Sequence, residues 1–154
     1  MKTPAELLPH QEPMIFISDI RSFSIDKGFL LAHIHIQKTD VLYQESKKGV
    51  PSYSALEYMA QSIGCFVGLY DLEKDPHKKP GVGFVLGTRN LKIFRPVLEL
   101  DKDYLIKVNA LFCDNNLASF DCLMYNEETE EKMASAIINA YRPESIDSFM
   151  KDYT

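Results

Sequence analysis

Cysteine is scarce in this sequence, and there is no excess of positive charge. The 154 residues include three cysteines, Cys65, Cys113 and Cys122, which are widely spaced and form no C-x-x-C pair. This pattern excludes a disulfide framework and a zinc cage of cysteines. The formal net charge is -5, from 17 basic and 22 acidic residues. Nucleic-acid-binding proteins carry a basic excess, so the sequence argues against a nucleic-acid partner.

Long apolar segments are also missing. The opening MKTPAELLPH has no apolar core of a signal peptide. The most apolar stretch, residues 49–70, is interrupted by Glu57 and contains Gln61 and three serines. It is too polar for a membrane span. We therefore expect a reduced cytoplasmic domain without a membrane span.

Common site motifs are absent too. The sequence has no glycine-rich phosphate loop, no G-x-S-x-G and no H-E-x-x-H, so nucleotide-binding and common hydrolase functions lack support. His33 and His35 form an H-x-H on the expected solvent face of a strand. Since no third ligand accompanies them in the sequence, we expect no metal site.

The composition is that of a globular domain, with 45% hydrophobic and 25% charged residues. Thr3-Pro4-Ala5-Glu6 has the order of a capping box and predicts a short helix over residues 4–8. Strand-like patterns predict a hairpin and, later, a meander, over residues 14–25, 29–37, 82–94, 104–112, 117–125 and 132–141. Turns are predicted at residues 26–28, 114–116 and 126–131.

One long helix is predicted over about residues 52–73, between the hairpin and the meander. Its apolar stripe has helical spacing and consists of Leu56, Met59, Ala60, Ile63, Val67 and Tyr70. Further apolar residues lie on the other side, so other structure must enclose this helix. The pattern predicts one α+β domain over residues 1–154, in which an antiparallel sheet curls around a single helix.

Glu57 is the sharpest chemical signal, because it is the only charged residue within residues 49–70. An ionised carboxylate is costly in apolar surroundings, so burial would keep a proton on Glu57, as a general acid requires. Gln61 follows one turn later on the same face and could hold the carboxyl in place. The alternative is that Glu57 points to a wet edge or pairs with a basic residue such as Arg89 or Arg95.

Two other features suit a site. The helix start at Pro51-Ser52-Tyr53 should offer free N–H groups, which can hold an oxyanion about one and a half turns from the Glu57 carboxyl. An ordinary serine cap is the alternative. His10 lies in a stiff segment between Pro9 and Pro13, which would suit a site residue, although a structural histidine is the more common outcome.

Three segments, in this order, resemble the hotdog-fold 3-hydroxyacyl-acyl carrier protein dehydratases of fatty acid synthesis. LLPHQEPMIFI (7–17) is similar to the family's LLPHR-x-P start, and VPSYSALEYMAQSIG (50–64) to its F-P-G-V-L-x-x-E-A-M-A-Q-x-x-G stretch. FRPVLELD (94–101) is similar to its K-R-P-V-x-P-G-D. The resemblance implies a single hotdog domain, with an antiparallel sheet wrapped around one long central helix.

The resemblance also implies roles for individual residues. Glu57 matches the catalytic carboxylate, and Ser52 stands where the family has a glycine whose N–H binds the thioester oxygen. Leu8, Pro9 and His10 match a segment that lines the mouth of the acyl tunnel. Other expected substrate-binding residues are Tyr43, Tyr53, Gln61 and Gly64.

One departure from the family concerns the catalytic base. The family's catalytic histidine lies in a G-H-F-P segment, fourteen positions before the glutamate, where this chain has Tyr43. No histidine occurs between His35 and His77. This combination resembles the dehydratase-like proteins of aryl polyene pigment pathways, which have GLEYMAQ-type helices. Those proteins pair with a second hotdog protein that carries the histidine, and in hotdog dimers the histidine and the acid of one site come from different subunits.

The resemblance therefore implies a Glu-bearing subunit that converts 3-hydroxyacyl thioesters of acyl carrier protein to trans-2-enoyl thioesters without a cofactor, beside a His-bearing hotdog partner. Three alternatives stay open. The chain could be a non-catalytic subunit that stabilises its partner and binds acyl chains. It could be a hotdog acyl-CoA thioesterase that uses Glu57 to activate water. It could also be a homodimer that uses His10 as its base.

Overall fold

A computed structural model describes residues 2–78, 84–113 and 116–141, without the side chains of residues 84–86. Its helices and strands, in chain order, are α1 (Pro4–Leu7), β1 (Asp19–Ser24), β2 (Phe29–His35), β3 (Gly49–Pro51), α2 (Ala55–Lys74), β4 (Phe84–Ile93), β5 (Val97–Glu99), β6 (Asp103–Cys113), β7 (Leu117–Asn126) and β8 (Lys132–Tyr141). Two single turns of 3-10 helix, at Glu45–Lys47 and Ser52–Ser54, flank β3.

Six strands form one antiparallel sheet in the order β1-β2-β6-β7-β8-β4, so that β1 and β4 are its edges. Helix α2 packs against β2, β6, β7 and β8. This architecture confirms the predicted α+β fold, in which an antiparallel sheet wraps around one long helix. Neither helix of the described part of the chain has the length and apolar character needed to cross a membrane.

Strand β2 shows how the sequence pattern builds the two faces of this sheet. Ala32, Ile34 and Ile36, the last just beyond the end of β2, are at most 1% exposed in the core beneath α2. Because successive side chains of a strand point to opposite faces, His33 and His35 lie on the outer face, away from the helix.

The predicted strand over residues 14–25 is shorter in the structure, where β1 begins only at Asp19. A buried side-chain amide holds the preceding segment instead of a strand ladder. The Phe16 N–H donates to Gln61 Oε1 at 2.8 Å, and Gln61 Nε2 donates to the Met14 carbonyl at 2.6 Å. Parts of the predicted strand 82–94 and of the predicted turn 114–116 lie outside the described residues.

The capping box at the start of α1 is confirmed, because the Thr3 and Glu6 side chains each accept a hydrogen bond from the other residue's backbone N–H. Helix α1 and the following Leu8 approach α2 closely at two of its glycines. A Cβ atom at Gly64 would lie 2.7 Å from Leu8 Cδ2, and one at Gly68 would lie 3.0 Å from the Leu7 carbonyl oxygen. The small residues therefore permit the close approach of the two helices.

The start of α2 is fixed by a separate two-stranded pairing of β3 with β5. Gly49 faces the partner strand so closely that a Cβ atom there would lie 2.2 Å from the Leu98 carbonyl oxygen. Directly after β3, the Ser52 N–H donates to the Pro96 carbonyl at 2.9 Å. Residues 49–52 and 96–99 therefore set the position from which the long helix departs.

Gly49→Ala should destabilise the protein, because its methyl group would collide with the backbone of the paired strand β5. We expect a loss of about 3 kcal/mol, or a fall in Tm of roughly 6 °C or more. Gly87→Ala is the matched control, since a Cβ atom there meets nothing within 4 Å. Equal Tm values for the two variants in thermal unfolding would contradict the close β3–β5 contact.

Gln61→Met should also destabilise the protein, although it preserves the shape of the side chain. It leaves the Phe16 N–H and the Met14 carbonyl without their partner, and we expect a cost of about 2 kcal/mol. The control is Gln37→Met at an exposed position. Urea unfolding measures the free energy of unfolding of both variants. An unchanged value for Gln61→Met would show that the amide does not stabilise the segment that precedes β1.

Candidate active site

Glu57 lies in the first turn of α2 and is exposed, whereas the adjacent Tyr58 and Met59 are 2% and 0% exposed. The predicted burial of this carboxyl is therefore wrong for the single chain, and the wet-edge alternative is the one observed. Within the described residues no hydrogen bond or ion pair holds Glu57, and Arg95 pairs with Glu131 instead. The carboxyl is thus free to meet a substrate or a second chain.

Gln61 does not hold Glu57 in place, contrary to the expectation from their spacing. Its amide is buried, and its oxygen and nitrogen bond to the backbone of Phe16 and Met14. Gln61 therefore positions the segment that precedes β1. A substrate-binding role for Gln61 stays a prediction.

The start of the helix supplies fewer free donors than expected. The Ser52 N–H is used by the Pro96 carbonyl, so it is not available to a thioester oxygen. The Tyr53 N–H makes no hydrogen bond to any residue in the described ranges. The Tyr53 ring is 63% exposed and lies one turn before Glu57. This arrangement leaves Tyr53 as the candidate backbone donor beside the carboxyl.

The Ser52 side chain has an unusual environment. It is 0% exposed, and its Oγ finds no hydrogen-bond partner among the described residues. Buried polar atoms without partners are rare in folded proteins and often mark functional positions. The hydroxyl therefore lies beside the candidate site with its hydrogen-bonding capacity unused.

Tyr43, which occupies the position of the family's histidine, is half-buried, and its hydroxyl donates to Glu45 Oε2 at 2.9 Å. Partial burial and this hydrogen bond raise the pKa of the Tyr43 hydroxyl. A phenol that keeps its proton is not a base, so Tyr43 does not replace the missing histidine.

Residues 8–10, which were expected to line the mouth of an acyl tunnel, differ in their exposure. Leu8 is 3% exposed and contacts α2 at Gly64, so both residues have a packing role. Pro9 and His10 are exposed, and no described residue bonds to the His10 ring. The expected roles of these four residues at an acyl tunnel stay predictions.

The sequence pattern missed the surroundings of His33 and His35. Three carboxylates from distant parts of the chain reach them, namely Asp19, Asp103 and Glu127. The expectation that no third potential ligand accompanies the H-x-H is therefore wrong. Only the strand register, which the sequence does not state, brings these groups together.

Comparisons with known proteins agree with this geometry. A family model described as ApeP-like, ApeP dehydratase, matches residues 2–151. No curated protein matches the chain significantly. A chain of the dehydratase heterocomplex ApeI:P from Xenorhabdus doucetiae is similar in structure, with a TM-score of 0.88 at 18% identity over 100% of this chain and 99% of that chain.

Two other similar structures share the fold at lower scores. A hypothetical thioesterase from Streptococcus pneumoniae, solved with coenzyme A, has a TM-score of 0.59 at 13% identity, covering 81% of this chain and 84% of that chain. The PaaI protein of Escherichia coli has a TM-score of 0.60 at 10% identity, covering 80% and 82%. The family match spans almost the whole sequence, and the structural matches confirm the hotdog fold. The chain therefore belongs to the ApeP-like dehydratase family.

Proposed function

We propose that this chain is the Glu-bearing subunit of a two-chain dehydratase that acts on 3-hydroxyacyl thioesters of acyl carrier protein. The observation that carries the proposal is Glu57, an exposed carboxyl that has no partner among the described residues and is the single charge within residues 49–70. Within the described residues this side chain forms no hydrogen bond or ion pair that would give it a role in the fold. Its place matches the catalytic acid of dehydratases, and the chain belongs to a dehydratase family.

The chain's own histidines do not supply a base near Glu57. His33 and His35 lie on the outer face of the sheet and bond to carboxylates. His77 follows the end of α2, some twenty residues beyond Glu57 along the chain. His10 is exposed and unattached. We therefore assign the base to a second hotdog chain, in keeping with the heterocomplex state of the similar ApeI:P structure.

The edge strand β4 offers a docking surface for that second chain. Within the described residues it pairs only with β8, so its other side presents unpaired backbone groups. Leu91, Ile93 and Phe94 are each 42% exposed along this edge. An exposed apolar edge of this kind is suited to pairing with another sheet.

This edge ends close to the candidate site. Phe94 is two residues before Pro96, whose carbonyl accepts the hydrogen bond from the Ser52 N–H. Two residues span at most about 7 Å, so the end of the edge lies near the start of α2. A partner bound along β4 would therefore bring its own residues towards Tyr53 and Glu57.

The proposed reaction uses groups from both chains. A histidine of the partner removes the α-proton of the thioester, and the Tyr53 N–H stabilises the negative charge that develops on the thioester oxygen. The Glu57 carboxyl acts as the general acid and donates a proton to the departing 3-hydroxyl, so that water leaves and the trans-2 double bond forms. No electron carrier is needed. Among the described residues the three cysteines form no disulfide, which is compatible with the cytoplasmic location that we propose.

Two other functions make different demands on Glu57. A subunit that only stabilises its partner and binds acyl chains would not need the carboxyl. A thioesterase would use Glu57 to activate water and would release a free thiol. The hotdog fold is shared with structures described as thioesterases, but the family match favours dehydration.

Glu57→Gln should abolish the proton transfer while preserving the shape of the side chain. In the complex with a His-bearing hotdog partner, we expect dehydration to fall by about 10²–10⁴-fold, the usual contribution of a general acid. Glu73→Gln, an exposed glutamate on the same helix, is the control and should retain full activity. Mass spectrometry follows the loss of water, and a thiol reagent detects hydrolysis in parallel.

Unchanged dehydration by the Glu57→Gln complex would mean that the chain is a non-catalytic subunit. Release of thiol without an enoyl product, lost in Glu57→Gln, would instead assign the thioesterase function. Size-exclusion chromatography of the same samples shows whether the variant still forms the complex.

Leu91→Asp should weaken assembly, because it places a charge on the apolar edge of the sheet. We expect a loss of about 2 kcal/mol, or roughly 30-fold in Kd. Leu111→Asp is the control, since Leu111 is 57% exposed on the inner strand β6. Calorimetric titration with the partner measures both variants, and equal weakening by the two would exclude β4 as the specific interface.

A further inference from the structure

The outer face of the sheet carries a second cluster of chemically active groups, which the proposed dehydration does not use. His33 Nδ1 lies 2.8 Å from Asp19 Oδ2, and His33 Nε2 lies 2.7 Å from Asp103 Oδ1. His35 Nδ1 lies 2.9 Å from the same Asp103 oxygen. Glu127 Oε2 lies 3.9 Å from His33 Nε2. We call these five residues the outer-face cluster.

The orientation of the His33 ring is characteristic of a metal ligand. When Asp19 accepts the Nδ1–H, the Nε2 lone pair is directed towards Asp103 and Glu127. A carboxylate behind the non-ligating nitrogen of a histidine is a common arrangement in metal sites. An imidazole lone pair and carboxylate oxygens that face each other need a cation between them, either a proton or a metal ion.

The charge balance also favours a cation. Asp19, Asp103 and Glu127 contribute three carboxylates, whereas Arg21 is the one guanidinium of the described residues that pairs with the cluster, through Asp19 and Glu127. The His33 side chain is 11% exposed, whereas the side chains of Asp19, Asp103 and Glu127 are 50%, 42% and 31% exposed, so water screens a part of this negative charge.

We infer that His33 Nε2, Asp103 and Glu127 form a site for a divalent first-row transition ion such as zinc. One potential ligand atom from each residue lies within 4.8 Å of the others. In tetrahedral zinc sites the ligand atoms lie roughly 3.3 Å from one another. Here His33 Nε2 lies 2.7 Å from Asp103 Oδ1 and 3.9 Å from Glu127 Oε2, on either side of that value. The mixture of imidazole and carboxylate selects such an ion over calcium or magnesium, which prefer oxygen alone.

The role of the ion would be structural. His33 is on β2, Asp103 on β6 and Glu127 directly after β7, so one ion would join three parts of the chain. Asp19, on the edge strand β1, would orient His33 from behind. The site lies on the face of the sheet opposite α2, and it is therefore independent of Glu57.

The test is calorimetric titration of the full-length, metal-free chain with zinc chloride, combined with the absorption spectrum of the cobalt(II) form. We expect one ion per chain, a Tm raised by several degrees, and no intense thiolate band from cobalt. His33→Gln and Glu127→Gln should each weaken zinc binding at least 100-fold. Asp19→Asn should weaken it by about 10–100-fold, the usual effect of an orienting partner. His77→Gln, at an exposed histidine outside the cluster, should bind zinc like the wild type.

Several results would overturn the inference. These are the absence of saturable binding, zinc binding that His77→Gln removes, and calcium or magnesium binding as tight as that of zinc. Should His33→Gln fail to fold, Glu127→Gln decides, because it changes a partly exposed side chain after a strand end. If a folded Glu127→Gln variant bound zinc as tightly as the wild type, the zinc would bind elsewhere on the chain. The outer-face cluster would then hold protons and not a metal ion.

Discussion

The hydrogen bond from the Ser52 N–H to the Pro96 carbonyl is the constraint on which the candidate site depends. With the short β3–β5 pairing beside it, this bond joins the chain that enters α2 to the chain that leaves the edge strand β4. The first turn of the helix, which carries Glu57, is therefore held near the edge of the sheet. The same bond uses a donor that the family resemblance assigns to the substrate, so the donor that we propose for the oxyanion is the next backbone N–H, that of Tyr53.

The exposure of Glu57 explains why this fold is suited to assembly. Helix α2 buries residues on nearly every side, including Tyr58, Met59 and Phe66, but Glu57 in its first turn is exposed in the single chain. An exposed, unpaired carboxylate adds little to stability, and a fully buried hydroxyl without a partner, such as that of Ser52, is unfavourable. Both features are compatible with a site that a second chain and a substrate complete.

Much of the fold could be predicted from the sequence, because local patterns encode it. The alternation of Ala32, Ile34 and Ile36 with polar residues defined one strand and its buried face, and the apolar run around Glu57 defined the single long helix. The capping order Thr3-Pro4-Ala5-Glu6 located the short first helix to within a residue.

The contacts that could not be predicted connect residues that are far apart in the sequence. Gln61 lies one turn from Glu57, and that spacing suggested a pair, but its partners are Met14 and Phe16, more than forty positions away. In the same way, strand register alone places Asp103 and Glu127 beside His33. The exposure of Glu57 depends on where the sheet ends, which the sequence of one helix does not specify.

The most direct test of the central claim compares the chain alone with the chain mixed with a His-bearing hotdog partner, using a 3-hydroxyacyl carrier-protein thioester and following loss of water by mass spectrometry. The account predicts that the chain alone is inert and that the mixture produces the enoyl thioester. Turnover by the chain alone that disappears in both His10→Asn and Glu57→Gln would contradict it, because the site would then be complete within a homodimer that uses His10 as its base.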